Sequence, residues 1–147
     1  MRFTLIFAIG TLALAIPAAA GDLEQRQKLA GSWQNSGAGP ETWILEVTGD
    51  QMRITESAKG EKVVEYECNT LGKECEVKEL GKHAKVSMWF NGPRLVAMEV
   101  RGNDVLKRRF EASEDGAGMK VEIIPIAPAG KTETLQLKRV VTAAAAQ

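Results

Sequence analysis

The chain has 147 residues, 44% of them hydrophobic, and its 19 basic and 19 acidic residues cancel. This composition is typical of a single globular domain with one core, and it excludes a disordered chain. The balanced charge argues against nucleic acid and against an anionic membrane surface as partners.

The first twenty residues have the layout of a secretory signal peptide. Arg2 gives a positive start, an apolar run covers 3–16, and Pro17 is followed by small alanines ahead of a predicted cut before Gly21. The apolar run is shorter than the roughly 20 residues that span a bilayer as a helix. We therefore expect an exported protein, periplasmic or secreted, with no membrane span after cleavage. The expected parts are a signal peptide at 1–20, a barrel domain at 21–141 and a disordered tail at 142–147.

After the predicted cut, one short helix precedes a series of strands. Asp22 is placed to cap the helix, with Gln25 as the partner of a capping box and Gly31 as the residue that ends it. Beyond Trp33, which begins a short strand, the apolar period changes to two. The runs predicted as strands are 41–48, 51–57, 62–68, 75–80, 84–90, 94–100, 105–112, 119–126 and 132–140.

The turns between these strands are short and contain no helical pattern. An antiparallel meander is the simplest topology for such a chain, and closure of the sheet would remove its exposed edges. Pro125 within a strand predicts an edge strand or a bulge. The sequence thus predicts an all-β fold, an up-and-down meander of about eight to ten strands that closes into a small barrel.

Cys68 and Cys75, the only two cysteines, flank a predicted hairpin loop that contains Gly72. In an oxidising compartment two such cysteines are expected to pair across antiparallel strands. A zinc site needs about four ligands, yet His83 is the only histidine, and no C-x-x-C motif is present. We predict a structural disulfide and no metal site.

Gly31 and Trp33, in the run LAGSW, precede the strands, and Arg139 lies near the end of the last strand. The arrangement resembles the lipocalin and calycin group of small β-barrels, and most of all the poorly characterised lipocalin-like domains of bacterial exported proteins. The resemblance implies that a basic residue of the last strand stacks on the tryptophan and closes the barrel end. Arg139 is the candidate for that residue, since a planar guanidinium stacks well on an indole.

No catalytic residue and no cofactor is predicted. The serines lack a base in sequence reach, because His83 is alone and lies in a predicted polar turn. Glu99 and the other strand carboxylates are predicted to be solvated. The basic run 107–109 is most simply a solvated strand, and the alternative is an arginine that points into the barrel and meets a ligand carboxylate.

Two functions remain open from the sequence. In the first, a monomeric carrier holds a small apolar or amphipathic ligand inside the barrel. The candidates to line its pocket are Met52, Ile54, Val86, Met88 and Phe90. Packing of the methionines in the core is the alternative and the one that the sequence favours. In the second, the chain binds an envelope protein, as inhibitors of proteases or lysozyme do, and an ordered loop at 36–40 would favour that function.

Overall fold

The computed structural model describes residues 18–79 and 82–141. One helix, α1, covers Ala18–Leu29. The strands are β1 Gly31–Asn35, β2 Thr42–Thr48, β3 Gln51–Ala58, β4 Glu61–Asn69, β5 Cys75–Glu79, β6 Lys82–Asn91, β7 Arg94–Arg101, β8 Asp104–Ala112, β9 Gly118–Ala127 and β10 Glu133–Arg139. The predicted signal segment, except for its last three residues, and the predicted tail lie outside the described residues.

The ten strands form one antiparallel sheet in the order β4-β3-β2-β1-β10-β9-β8-β7-β6-β5. Consecutive strands are neighbours, and β1 also pairs with β10 through the register Trp33 with Arg139 and Asn35 with Leu137. The sheet therefore curls into a nearly closed barrel with β4 and β5 at its two edges. This confirms the predicted all-β meander and short N-terminal helix.

Two local predictions are corrected, and a third is confirmed. The described part of the helix begins at Ala18, so Asp22 lies inside the helix and not at its start. His83 belongs to β6 and not to a turn, and its exposed ring lies 3.4 Å from a carboxylate oxygen of Glu76. Pro125 lies at a bulge: Leu106 pairs with Pro125 and Val105 with Ala127, which leaves Ile126 as the extra residue.

Helix α1 closes one end of the barrel, which we name the helix end. Arg26 donates from Nη1 to the Thr70 hydroxyl over 2.9 Å, and that hydroxyl donates to the Asp50 carbonyl over 3.1 Å. These bonds join the helix to the β2–β3 turn and to the loop after β4. Because turns alternate along a meander, the β1–β2, β3–β4, β7–β8 and β9–β10 connections lie at the opposite, far end.

The disulfide Cys68–Cys75 is present and joins β4 to β5, with 5.8 Å between the Cα atoms. Its setting differs from the predicted hairpin, because the described parts of β4 and β5 share no ladder of hydrogen bonds. The intervening loop instead pairs with β6, where the amide of Gly72 donates to the carbonyl of Met88 over 2.8 Å. The bridge thus fastens the seam at which the sheet does not close.

Replacing both cysteines by serine should lower the free energy of unfolding by about 2–3 kcal/mol, the chain-entropy value for a loop of this length. Urea unfolding of the oxidised wild type and the variant measures the difference, and reduction of the wild type should reproduce it. The amide of Gly72 should also exchange faster in the variant, since it lies beside the seam. Equal stability of oxidised and reduced protein would contradict this account of the seam.

A single apolar cluster fills the helix end and the middle of the barrel. It is built from alternate, inward-facing residues of the strands, among them Trp33, Met52, Met88 and Leu137, each at most 2% exposed. The period of two that predicted the strands therefore also selected the buried face.

Candidate ligand site at the far end

The guanidinium of Arg139 lies over the indole of Trp33, 4.2 Å from the ring centre. It also donates to three carbonyls: Nη1 to Ala30 over 2.7 Å, Nη2 to Lys28 over 2.6 Å and Nε to Gly116 over 2.7 Å. Arg139 thus binds the C-terminal end of α1, the first strand and the β8–β9 turn at once. Both residues lie at the helix end.

Gly31 makes room for this arrangement. Its φ is +132°, and a Cβ atom placed there would lie 2.5 Å from Nη1 of Arg139. Any larger residue would therefore strain the backbone and displace the guanidinium.

The residues predicted to line a pocket are all in or against the core. Met52, Ile54, Val86 and Met88 are at most 1% exposed, and Phe90 packs against them. None of the five lines the far-end pocket described below. Their part in ligand binding stays a prediction.

Side chains cross the interior of the barrel. Trp43 of β2 meets Phe110 of β8 edge to face, with ring centres 6.0 Å apart. These strands are separated by three others on the shorter way round the sheet, so the contact spans the barrel. At this level the interior is filled by aromatic rings.

A second contact across the barrel is ionic. Nε of Arg108, on β8, lies 3.3 Å from a carboxylate oxygen of Glu56 on β3, and Nη1 donates to Glu99 on β7 over 2.9 Å. The other oxygen of Glu99 accepts from Arg101 Nε over 3.1 Å and from Nη2 over 2.6 Å. Two carboxylates and two guanidinium groups therefore form one network, which we name the inner charge network: Glu56, Glu99, Arg101 and Arg108.

This network is nearly dry, since Glu56, Glu99 and Arg108 are at most 9% exposed. Burial opposes the ionisation of Glu99, but the hydrogen bonds and charges of Arg108 and Arg101 outweigh it and lower the pKa of that carboxyl. Burial likewise opposes the charge of Arg108, yet the neighbouring Tyr66, Glu56 and Glu99 raise its pKa. Both groups are thus held ionised by their partners.

Tyr66 of β4 lies beside the network, with its ring 5.9 Å from the guanidinium carbon of Arg108. Its hydroxyl is buried and forms no hydrogen bond of ordinary geometry with the described residues. Burial, more than any charge nearby, raises the pKa of Tyr66, so the phenol stays protonated.

Among the members of the inner charge network, the prediction for Glu99 was wrong and Glu56 was not predicted. Glu99 was predicted to be solvated, but it points inward, because it alternates with the buried Leu95 and Ala97 on β7. Arg108 does point inward, and its partners are carboxylates of the chain itself. Glu56 was not singled out, although it follows Met52 and Ile54 at the same period of two, and that alternation is the signal that would have found it.

Two members of the inner charge network, Glu99 and Arg101, line a pocket of about 310 Å³ at the far end. Five of its eight lining residues are apolar, and the remaining three are Glu99, Arg101 and Asp104. The apolar residues are Val105, Leu106, Pro125, Ala127 and Pro128. The bulge beside Pro125 lies in its wall, and such bulges often occur at barrel rims. We name this cavity the far-end pocket.

A larger groove, of about 650 Å³, lies between the β1–β2 loop and residues 131–136. The side chain of Asn35 holds the loop: Nδ2 donates to the carbonyl of Ala38 and Oδ1 accepts from the amide of Gly37, each over 3.0 Å. Lys131, Glu133 and Thr134 in the opposite wall are exposed. The groove is thus more polar than the far-end pocket, and the charged residues of its lining are exposed.

Among residues 18–79 and 82–141, no three histidine, cysteine, aspartate or glutamate side chains are grouped so that they could hold a metal ion. Within the same ranges, no helix has both the length and the apolar character needed to cross a membrane.

The fold is that of the calycin-type β-barrels. A fatty-acid-binding protein of Schistosoma mansoni in complex with arachidonic acid is 15% identical, with a TM-score of 0.65 over 80% of this chain and 99% of that one. Fatty-acid-binding protein 1 of Echinococcus granulosus is 8% identical, with a TM-score of 0.64 over 78% and 99%. A secretory abundant heat soluble protein of Ramazzottius varieornatus is 13% identical, with a TM-score of 0.64 over 77% and 96%.

At these identities the likeness shows the fold alone. No protein-family model and no curated protein sequence matches the chain. The narrower resemblance to lipocalin-like domains of bacterial exported proteins is not tested by these neighbours and stays a prediction.

Proposed function

We propose that the protein is a non-catalytic binding protein that holds a small, largely apolar molecule in the far-end pocket. The observation that carries the proposal is the pocket itself, a concave site with apolar walls built over buried, fixed charges. Sites for small molecules have this construction, with volumes of about 300–1,000 Å³. The fatty-acid-binding neighbours support binding of apolar molecules by barrels of this fold.

The packed interior restricts where the ligand lies. The contact of Trp43 with Phe110 and the ion pair of Glu56 with Arg108 both occupy the space that a long chain along the barrel axis would need. The ligand therefore sits at the mouth, against Leu106 and Pro125, and does not extend to the helix end. This site differs from an interior pocket lined by Met52, Met88 and their neighbours, which is one of the alternatives that the sequence left open.

A neutral apolar fluorophore, N-phenyl-1-naphthylamine, should bind the wild type saturably. Leu106→Asp should weaken that binding by about tenfold or more, because it puts a carboxylate into the apolar wall. Val63→Asp is the matched control, since Val63 is 43% exposed and lies outside the pocket. Circular dichroism should show all three proteins folded. If the folded wild type does not bind the fluorophore, the proposal fails.

The alternative function, binding of an envelope protein, is favoured by one observation. Asn35 fixes the β1–β2 loop over the polar groove, which gives an ordered, exposed surface. If the wild type binds no apolar probe but captures one specific protein from its host envelope, and Asn35→Ala abolishes the capture, this alternative is correct.

We also infer that the protein is exported, as a monomer with its disulfide formed. The basic and apolar N-terminal segment supports export, and the Cys68–Cys75 bridge is typical of an oxidising compartment. The intact mass of the protein from its host envelope should show the loss of residues 1–20 and of two hydrogens. Cytosolic material that retains the segment would contradict the inference.

A further inference from the structure

One edge of strand β10 has no neighbouring strand beyond the point at which β1 ends. β1 pairs with β10 only from Trp33 to Asn35. The chain then leaves the sheet in the 36–40 loop, whose base is closed by the Asn35 amide, which donates to the Glu41 carbonyl over 2.9 Å. Residues 133–136 of β10 therefore pair with β9 alone, and they form one wall of the groove of about 650 Å³.

The alternation of hydrogen bonds shows which backbone groups of β10 point into this groove. Val140 donates its amide to the carbonyl of Ser32 in β1 over 2.8 Å. Every second residue of a strand points its amide and carbonyl to the same side, so Gln136 and Thr134 point theirs in the direction of β1 as well. Among residues 18–79 and 82–141, neither has a backbone partner on that side.

The lining of the groove limits the side chains that an added strand could carry. Leu135 and Glu133 lie on the same face of β10. The 36–40 loop approaches this face, since a Cβ atom placed on Gly39 would lie 3.9 Å from Cδ2 of Leu135. A residue opposite Leu135 must therefore be small. Glu133 is exposed and forms no ion pair with the described residues, so a basic side chain opposite it would gain a partner.

We propose that the groove binds an extended peptide segment of another protein, which adds to β10 as a short antiparallel strand. One residue of the segment exchanges both backbone hydrogen bonds with Thr134, and the amide of Gln136 donates to the first carbonyl of the segment. The residue opposite Leu135 is small, and the residue opposite Glu133 is lysine or arginine. Addition of a strand to an open sheet edge is a recurrent mode of peptide recognition.

This site is separate from the far-end pocket, so it does not rest on the binding of an apolar ligand. It gives the alternative function a definite kind of partner.

The probe is a capped tetrapeptide, acetyl-Ala-Thr-Lys-Thr-amide, in which alanine lies opposite Leu135 and lysine opposite Glu133. It should bind the wild type saturably in an NMR titration, with a Kd of about 1 mM or lower. At about tenfold excess over that Kd, the amides of Thr134 and Gln136 should exchange with solvent about tenfold more slowly. The amides of Glu133 and Leu135, which already face β9, should change by less than about threefold.

Two methylated peptides are the matched controls. Methylation of the nitrogen of the first threonine removes the donor to Thr134 and should weaken binding by about tenfold or more. Methylation of the lysine nitrogen, which points away from β10, should change the Kd by less than about threefold. Equal effects of the two methyl groups, or no saturable binding of the unmodified peptide, would overturn the proposal and leave the far-end pocket unaffected.

Two protein variants test the same contacts from the side of β10. Thr134→Pro should abolish peptide binding and leave the midpoint of urea unfolding unchanged, because the lost amide has no partner in the free protein. Glu133→Lys should weaken binding, and a peptide with glutamate in place of lysine should restore it. Wild-type affinity in Thr134→Pro, or no rescue by the glutamate peptide, would contradict the register. If Thr134→Pro does not fold, the two methylated peptides decide.

Discussion

Replacing Arg108 by methionine should lower the free energy of unfolding by about 3–5 kcal/mol at neutral pH, the usual cost of removing one partner from a buried ion pair. Methionine fills much of the space of the arginine stem, so the lost stability reflects the missing charge more than a new cavity. Glu56 and Glu99 would lose the cation that they share across the barrel. Urea unfolding at about pH 7 measures the effect.

Arg109→Met is the matched control on the same strand. Arg109 pairs with Glu122 on the other face of β8 and is one-third exposed, so its loss should cost about 1 kcal/mol or less. Equal losses of unfolding free energy in the two variants would show that the inner charge network stabilises the fold no more than the partly exposed pair of Arg109 and Glu122.

The pH dependence gives a second check on Arg108. The pKa of Glu99 is lowered in the folded protein, so its ionisation stabilises the fold above the unfolded pKa, and this contribution is lost as the pH falls through the folded value. In Arg108→Met the carboxylates can protonate at a smaller cost. The difference in stability between wild type and variant should therefore shrink from about pH 7 to about pH 4. A constant or growing difference would contradict the ion-pair explanation.

Replacing Arg139 by alanine should lower the free energy of unfolding by about 2–4 kcal/mol, since it removes three hydrogen bonds from a charged donor and the stacking on Trp33. The tryptophan emission should change as well, because the indole loses its cover. Lys138→Ala, one residue away and exposed, should cost less than about 0.5 kcal/mol.

The cost of Gly31→Ala, measured in the wild type and in Arg139→Ala, separates displacement of the guanidinium from backbone strain. In the wild type the added Cβ both strains the positive φ and displaces the guanidinium, whereas in the Arg139→Ala background only the strain remains. The two substitutions should therefore cost less together than the sum of their separate costs. If the two stability costs are strictly additive, the absence of a side chain at Gly31 does not help to position Arg139.

The sequence by itself determined the strands, their antiparallel order and the disulfide partners. Alternation of apolar and polar residues is a local property, and it marked both the strands and the face of Met52, Ile54, Val86 and Met88 that the fold buries. Short turns left few other topologies for consecutive strands. Two cysteines allow only one intramolecular bridge.

Helix α1 shows where local signals are insufficient. Asp22 and Gln25 form a good capping pattern, yet the described helix already begins at Ala18. A capping pattern favours one start of a helix and does not prevent an earlier one, particularly where alanines precede it.

Only the tertiary structure decided what the barrel contains. Glu56 and Arg108 are 52 positions apart and on opposite walls, so no local pattern shows that they meet. A charged residue within an apolar alternation is normally expected to face solvent, because burial of a lone charge is costly. The partners that remove this cost come from β3, β7 and β8 together, and they come within reach only when the sheet curls into the barrel. That closure packed the interior and left a small pocket at its far end, in which Glu99, Arg101 and Asp104 lie among apolar residues.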